Sequence, residues 1–433
     1  MYITIDETNY FDLRNLAFGG DVDPTCDTLP IDELSVEIVT GNAVAYGQFM
    51  ELLDDRNNLW AKYWIVKAER NGEAVSIRAQ SPLALLDRVE LPAVLYSAYP
   101  VEDALDDIFN ALTPGGAIGI DYALDEGYEG ETLSGFCPAQ NGRERLQWVC
   151  FALGACVQSL FTSAVQIRPI EDEEITIPLA DTYWRPRSSD RDYVTAVRVT
   201  AFAYTQGTPQ TTDEWVTDGV NTYIVTRQEV ELSNTAAPAS APPNVITVDG
   251  VGLVNSGNVS AVASRLARYW FMQTELDMEC IDNASYGPGD KVIAYAEPEK
   301  LVTGIVQQAN WTFGKQAKAQ LHLAAVDTVA GAKLVILYKW GSVQLNRAEY
   351  WFPVGYYYGV ANPYIDMVYG DHRYVFRPTT EAVEGELPAE GAEEEAAYEI
   401  ALDLQGGVLH VISVDSVTAE TDAGTGIVTG VIA

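Results

Sequence analysis

The stretch ETLSGFCPAQNGRERLQWVCFALGACVQSLF, residues 131–161, followed by VQIRPI at residues 165–170, predicts a loop, a helix and a hairpin in this order. Asn141 is suited to cap a helix N-terminus, with Glu144 as its capping-box partner, and Gly154 to end the helix in the left-handed conformation. One helical face carries four apolar residues: Leu146, Val149, Cys150 and Leu153. The segment therefore predicts a short amphipathic helix with both ends encoded.

Two alternating segments follow this helix. Residues 156–161 and 165–168 read as strands joined through Thr162 and Ser163. The helix is therefore expected to pack its apolar face onto a small sheet.

Length and composition indicate a globular protein of several units. The chain has 433 residues, of which 48% are hydrophobic, and roughly 100 to 200 residues form one domain. Its apolar runs are shorter than the ~20 residues of a membrane helix. Residues 2–6 alternate like a strand, without the basic and apolar regions of a signal peptide. We expect no membrane span and assembly in a cytoplasm.

The charge argues against nucleic-acid readers. The chain contains 62 acidic and 26 basic residues, a formal net charge of -36, which repels phosphate. For any single carboxylate, solubility is the simpler explanation. Eight Glu and no basic residue lie in residues 381–399, which predicts a solvated linker.

Five cysteines leave an odd number for pairing: Cys26, Cys137, Cys150, Cys156 and Cys280. Buried free thiols are favoured over disulfides or a metal site.

The first ninety residues predict a small antiparallel barrel. Strands are expected at residues 2–6, 34–40, 63–69 and 73–80, with Asn71-Gly72 as a hairpin turn. A short helix with Ser81 as N-cap and Pro82 at its first position follows. A second helix is predicted at residues 101–112, with Val101, Leu105, Ile108 and Leu112 on one stripe.

A second β-rich segment begins near residue 174. Strands are expected at residues 174–178 and 193–204, and again at 275–281, 291–296, 302–313 and 317–326. A Pro/Ala/Ser-rich loop at residues 236–243 and a helix over residues 259–273 interrupt them. Tyr286-Gly-Pro-Gly-Asp290 predicts a turn.

The order of these motifs resembles the baseplate hub and tail-associated proteins of tailed bacteriophages and related contractile particles. The match consists of Leu133-x-Gly-x-x-Pro138, then R-x-x-L-Q-x-x-x-F-A-x-G-A over residues 143–155, the segment 191–200, the turn 286–290 and Gly304-Ile-Val306. It covers about residues 1–330.

The resemblance implies a fold and a set of partners. The fold class is mainly β with α+β insertions, and two small antiparallel barrels flank a mixed unit. Residues 1–90 form the first barrel, 171–205 with 286–330 the second, and 91–170 with 206–285 the peripheral unit. Three copies form a ring that joins the hexameric tail tube to the threefold tip and surrounds the ejection channel.

The implied partners lie on both sides of this homotrimer and inside it. A tail tube or distal tail protein lies on one side, and a tip, spike, fibre or lysin on the other. A tape measure protein lies in the lumen, and DNA passes without specific binding. The implied location is the virion tail.

The resemblance does not extend to the residues after 330. Residues 331–380 are rich in aromatics, which suits a sheet core or an interface equally. Short strands at residues 400–404, 408–414 and 427–432 predict a small β module over 400–433. In an alternative function, a virion or cell-surface carbohydrate-binding protein or hydrolase, five aromatic residues form an exposed stacking platform: Trp340, Trp351, Tyr356, Tyr357 and Tyr358.

No residue pattern indicates an enzyme, a cofactor or a metal site. The histidines are His322, His372 and His410, too few for a convincing nucleophile–base arrangement. Asp21, Asp23, Asp27 and the pair Asp54-Asp55 do not follow a calcium-loop pattern. Cys150 and Cys156 fall on different elements, which disfavours zinc. Residues 424–430 resemble a glycine loop but precede no helix. Paired carboxylates for glycoside cleavage remain open among 62 acids.

Overall fold

A computed structural model describes residues 1–111, 120–170, 174–177, 186–281, 286–297, 300–313 and 317–328, and the backbone of seven strands between residues 340 and 415. Three α-helices are present in this part of the chain: α1 (Val101–Asn110), α2 (Gly142–Leu153) and α3 (Val259–Trp270). Two 3-10 helices span Pro82–Arg88 and Glu126–Tyr128.

Strands dominate the described residues. The first nine are β1 (Tyr2–Ile5), β2 (Thr8–Tyr10), β3 (Leu13–Asp21), β4 (Glu33–Val39), β5 (Phe49–Leu53), β6 (Leu59–Asn71), β7 (Ala74–Gln80), β8 (Glu90–Leu91) and β9 (Val94–Pro100). The next eleven are β10 (Tyr122–Leu124), β11 (Thr132–Cys137), β12 (Gln140–Asn141), β13 (Ala155–Gln158), β14 (Val165–Pro169), β15 (Glu174–Thr176), β16 (Arg187–Asp190), β17 (Ala196–Gln206), β18 (Trp215–Thr217), β19 (Thr222–Ser233) and β20 (Val245–Val248). The remainder are β21 (Thr274–Ile281), β22 (Lys291–Glu297), β23 (Lys300–Phe313), β24 (Ala317–Thr328), β25 (Trp340–Leu345), β26 (Ala348–Tyr357), β27 (Tyr364–Tyr369), β28 (His372–Phe376), β29 (Glu384–Glu386), β30 (Glu399–Gln405) and β31 (Val408–Asp415).

The chain divides into two compact units. The first comprises Met1–Glu174, Ser188–Lys291 and Gly304–Val326, and the second comprises Ile175–Arg187, Val292–Thr303 and Asp327–Ala433. The mainly β class with α+β insertions is confirmed.

One large sheet organises the first unit. Its strands follow the order β16-β21-β24-β23-β3-β4-β7-β6-β5-β1-β2. Strands of both predicted barrels, residues 1–90 and 286–330, thus lie in one hydrogen-bonded path, because β23 pairs antiparallel with β3 from Gln308↔Asp21 to Thr312↔Ala17. The two-barrel arrangement itself stays a prediction.

Buried and more exposed side chains alternate along strands of this sheet, with the two-residue period of the sequence. In β4, Leu34, Val36 and Ile38 are buried while Glu33 and Ser35 are exposed. Since successive side chains of a strand point to opposite faces, one face packs and the other remains polar. The predicted turn after Asn71 closes the β6–β7 hairpin, in which Asn71 pairs with Ala74.

Helix α2 packs against β13 and α1, whereas α3 packs against β17 and β19. β13 and β14 pair antiparallel and β10 joins β14 in parallel, which confirms the predicted hairpin. The buried stripe predicted for α1 is confirmed at Val101, Leu105 and Ile108, and Leu112 lies outside the described residues. α3 ends at Trp270 rather than residue 273.

One strand departs from the predicted grouping. Ala196–Gln206 (β17), placed with the second barrel from the sequence, pairs instead with β19 and β20 in a four-stranded sheet of order β18-β19-β17-β20. The physical reason is its apolar face: Val197, Val199 and Ala201 are buried in the core that also contains α3 residues such as Val262.

The second unit is also made of strands. β15 pairs with β22, where the Ile177 amide donates to the Ile293 carbonyl at 2.9 Å. Further along, β25-β26-β27-β28 form one sheet and β29-β30-β31 another. Glu384–Glu386 (β29) lies inside the stretch predicted as a linker and pairs with β30, which corrects that prediction for these residues. The strand predicted at residues 427–432 lies outside the described part.

A membrane-spanning helix is not found among the described residues, since their helices fall short in length and apolar character.

Candidate functional site

The outward side of seven adjacent strands forms a continuous polar surface in the first unit, here called the polar face. Its strands are β21, β24, β23, β3, β4, β7 and the end of β6. The cross-strand pairs show which residues share this face: Asp277 lies opposite His322, and Glu37 lies opposite Ser76. The reverse side buries residues such as Met278. The face is therefore a broad polar surface of exposed and half-buried side chains.

Carboxylates outnumber cations on the polar face. The seven carboxylates are Asp21, Glu33, Glu37, Glu69, Glu275, Asp277 and Glu279. The four Lys and Arg residues are Arg14, Lys67, Arg78 and Lys318. Three of these cations lie within 4.0 Å of a carboxylate of the same face, namely Arg14 with Glu37, Lys67 with Glu69 and Lys318 with Glu279. A phosphate therefore meets a net negative surface.

The two ends of the large sheet are edge strands. β2 and β16 close the path at either end, and all four residues of β16 are exposed. Beside β2, Phe11 is 70% exposed and its ring centroid lies 5.1 Å from that of Tyr2. Edge strands present unpaired backbone groups on which another strand can pair.

A buried joint connects the hairpin after α2 with the turn 286–290. Arg168, on β14, donates from Nε to Gln158 Oε1 at 2.8 Å and from Nη2 to Asp290 Oδ1 at 2.8 Å and to the Pro288 carbonyl at 3.3 Å. Asp290 in turn accepts from the Gly287 amide at 2.7 Å. The ion pair thus fastens the turn 286–290 to the sheet that supports α2.

The turn requires glycine for this contact. Gly289 has φ +91°, and a Cβ there would lie 3.2 Å from Arg168 Nη2 and 3.4 Å from Cys156 Sγ. A side chain at this position would be strained and would also press on the ion pair.

Two polar side chains of α2 donate hydrogen bonds to backbone carbonyls of the loop 26–29. Arg143 and Gln147, one turn apart, share a helix face. Arg143 Nη1 donates to the Leu29 carbonyl at 2.8 Å, and Gln147 Nε2 donates to the carbonyls of Cys26 at 3.1 Å and Asp27 at 3.0 Å. The Arg and the Gln of the motif R-x-x-L-Q are therefore spaced so that both bind this loop.

The helix ends agree with the sequence prediction. The Asn141 side chain accepts from the Glu144 amide at 2.8 Å and the Glu144 carboxylate accepts from the Asn141 amide at 3.4 Å, which completes the capping box. Gly154 has φ +81°. Three of the four predicted apolar positions are fully buried, and Leu153 is partly buried.

Sequence reasoning did not identify the roles of Arg143, Gln147 and Arg168. The available signal was the pair of polar residues at i and i+4 beside the apolar stripe of α2. For Arg168 no local signal exists, because its partner Asp290 is 122 residues away.

The described part of the chain offers little for catalysis. His322 lies on β24 as predicted, with Nδ1 2.7 Å from Asp277 Oδ1 and Nε2 4.0 Å from Glu275 Oε2. These contacts lie within the polar face. Within the described residues, no group of three or more His, Cys, Asp or Glu is arranged to hold a metal ion.

The five cysteines are buried free thiols, as predicted. Burial raises the pKa of Cys26 and of Cys137 to about 12 and that of Cys150 well above its usual value. Since the thiolate is the nucleophile, these three thiols are inert at neutral pH.

The residues of the alternative stacking platform lie outside the described side chains, as do His372 and His410. The glycine loop at residues 424–430 lies outside the described residues altogether.

The chain has the fold of phage tail proteins. The tail protein from Neisseria meningitidis MC58 superposes with a TM-score of 0.54 at 11% identity, covering 75% of this chain and 95% of that one. The 43 kDa tail protein of prophage MuSo2 from Shewanella oneidensis gives 0.50 at 7% identity, with 75% and 95% covered. No protein-family model and no curated protein sequence matches the chain. The resemblance read from the motifs is thus confirmed at the level of the fold.

Proposed function

We propose that this protein is a structural baseplate hub subunit of a phage tail or phage-like particle, without enzymatic activity. The observation that carries the proposal is the large sheet of the first unit, whose polar face of exposed and half-buried side chains extends over seven strands and whose path ends in the edge strands β2 and β16. A subunit in the wall of a ring needs a polar surface toward the channel, and it needs edges at which it can contact its neighbours. The fold shared with phage tail proteins supports the same role.

In the proposed ring, three copies meet head to tail. A contact between two different surfaces of one chain is heterologous, and it closes into a ring when the rotation between copies is suitable. The edge strands β2 and β16 are different in sequence and exposed, and each is an available surface for the neighbouring copy. The ring would join a hexameric tail tube or distal tail protein to a threefold tip, spike, fibre or lysin.

The polar face is proposed to line the channel for the tape measure protein and the passing DNA. Its carboxylates would repel phosphate, so that cargo passes without binding. The protein would be located in the virion tail after assembly in the bacterial cytoplasm.

Reconstruction of the assembled particle by electron microscopy tests this proposal. We expect three copies around the tail axis at the junction between tube and tip. Six copies at this position, or an isologous dimer as the working unit, would overturn the assignment.

Cross-linking tests the head-to-tail contact in solution or in particles. Cysteines introduced by Asn9→Cys on β2 and Ser189→Cys on β16 should be joined by a bifunctional maleimide into species that end at the trimer. The native thiols are buried and should not react with the maleimide. Each single variant is therefore the matched control and should give no cross-linked species. A dimer from either single variant would indicate an isologous contact instead.

A further inference from the structure

The strand β20 is an open edge of the four-stranded sheet in the first unit. It pairs with β17 alone, in parallel, and ends the path β18-β19-β17-β20. Its four residues, Val-Ile-Thr-Val, are all β-branched, a residue type that is enriched in strands. A strand at an edge presents backbone groups to which a further strand can bind.

The hydrogen bonds around β17 show which of its residues face β20. The Asn234 amide donates to the Thr195 carbonyl at 2.8 Å, so odd-numbered residues of β17 direct their backbone groups to β19. The Ala196 amide donates to the Asn244 carbonyl at 3.4 Å, so even-numbered residues direct theirs to β20.

Alternate residues of β20 complete this ladder, because parallel strands bond through every second residue. Ile246 and Val248 bond to β17, and the N–H and C=O groups of Val245 and Thr247 point away from it. Among the described residues, none forms a hydrogen bond with the backbone of Val245 or Thr247. Two donors and two acceptors are therefore available along this edge.

The apolar layer of the sheet is incompletely covered at the same edge. Val197 and Val199 of β17 are fully buried, whereas Ile246 and Val248, in register beside them, are only partly buried. A further strand with apolar residues at matching positions would cover them. Both the backbone and the side chains of β20 therefore fit an extended segment with apolar residues at alternate positions.

The charge around this sheet favours a basic segment. Residues 196–249 contain two arginines and six carboxylates, which are Asp213, Glu214, Asp218, Glu229, Glu231 and Asp249. Both arginines already have an acidic partner, because Arg198 lies 2.7 Å from Glu231 and Arg227 pairs with Glu214. A second copy of this chain carries a formal charge of -36 and is repelled, whereas a segment with Lys or Arg is attracted.

We propose that β20 binds a basic, extended segment of a partner protein, which joins the sheet as its fifth strand. The backbone of this segment pairs with Val245 and Thr247, and its alternate apolar side chains cover Ile246 and Val248. The proposal does not depend on the hub function, and it concerns a different surface from the edge strands β2 and β16.

Fluorescence anisotropy with the fluorescein-labelled peptide KVTITVTK tests strand addition on the full-length protein. We expect saturable binding, and Thr247→Pro should weaken it about tenfold or more because it removes an outward N–H group. Since proline is tolerated where an edge N–H faces solvent, the sheet should stay folded. Thr247→Ala keeps the N–H group and is the matched control, with the affinity of the wild type. Equal affinities of Thr247→Pro and wild type, or no saturable binding at about 1 mM peptide, would overturn the proposal.

A second peptide separates strand pairing from attraction by charge. KVTITVTK that is N-methylated at every interior amide has the same charge and side chains but no interior donor, so it should not bind. Equal binding of the two peptides would show that charge alone is responsible and would overturn strand addition. Analytical ultracentrifugation identifies a second copy as the occupant. Self-association that Thr247→Pro abolishes would assign the edge to this chain and not to a partner.

Amide hydrogen exchange covers a Thr247→Pro protein that does not fold. In the free wild type, the amides of Val245 and Thr247 should exchange rapidly, and those of Ile246 and Val248 slowly. Addition of KVTITVTK should slow exchange at Thr247. Protection of the Thr247 amide in the free protein, or unchanged exchange with the peptide, would contradict strand addition.

Discussion

Arg168 and Asp290 show how one ion pair holds together parts of the chain that are far apart in sequence. Their side chains are 9% and 16% exposed, and Arg168 also binds Gln158 and the Pro288 carbonyl. Each additional hydrogen bond offsets part of the cost of burying the charge. The pair acts mainly to fix the position of the turn, because a buried pair by itself contributes little net stability.

Asp290→Asn should destabilise the first unit by about 3 kcal/mol, because it removes the carboxylate from a buried ion pair with Arg168. Urea unfolding monitored by tryptophan fluorescence measures the change. Glu231→Gln is the matched control, since it breaks the exposed Arg198–Glu231 pair at 2.7 Å, and it should leave the unfolding midpoint unchanged. Equal losses in the two variants would contradict the role assigned to Arg168.

At the scale of an element, α2 is specified at both ends and along two faces. The capping box and Gly154 fix its ends, Leu146 and Val149 fix its buried side, and Arg143 with Gln147 fixes its rotation against the loop 26–29. Because the end signals and the apolar stripe lie within fifteen residues, the helix could be predicted from the local sequence, whereas its contact with the loop 26–29 could not.

Gly154→Ala should destabilise the protein by more than about 1 kcal/mol. Its φ of +81° disfavours any residue with a Cβ, and that Cβ would lie 2.5 Å from Arg265 Nη1. Thermal unfolding followed by circular dichroism measures the loss. The control is Gly41→Ala, where a Cβ meets no atom within 4 Å and the change should be neutral or slightly stabilising. Similar effects at both positions would show that the helix end does not depend on the left-handed residue.

At the scale of the whole molecule, the excess of negative charge has a local counterpart on the polar face. Carboxylates exceed cations there by seven to four, a smaller excess than the 62 to 26 of the whole chain. Several of them are paired with neighbouring cations. Since the Debye length at physiological ionic strength is about 8 Å, only charges close to a passing polymer affect it. The position of the carboxylates therefore matters more than their total number.

Reversing charge on the polar face should slow cargo passage if this face lines the channel. Particles that carry Glu33→Lys with Asp277→Lys should eject their genome severalfold more slowly, and the delay should decrease with added salt because phosphate binding is electrostatic. Single-particle ejection assays measure the rate.

The matched control is Glu126→Lys with Glu129→Lys, two exposed residues away from the polar face. It changes the net charge equally and should leave the ejection rate unchanged. Equal rates for both pairs of substitutions would show that the polar face does not line the passage.

Local sequence determined the elements of this protein. The capping box, the Asn71 hairpin, the alternating strands and the buried stripe of α1 were predicted because periodicity and end signals act within a few residues. The order of motifs also indicated the fold of phage tail proteins. Burial of the free thiols followed from their odd number and apolar setting.

Only the tertiary structure decided how these elements pair. The placement of β17 beside β19 could not be read from its sequence, because an alternating strand is compatible with several partners until the opposite apolar surface is known. The union of β3 and β23 in one sheet, the Arg168–Asp290 pair and the hydrogen bond from Ser159 to Asp32 each join residues more than a hundred positions apart. Such contacts depend on the packing of the whole unit, and no local pattern encodes them.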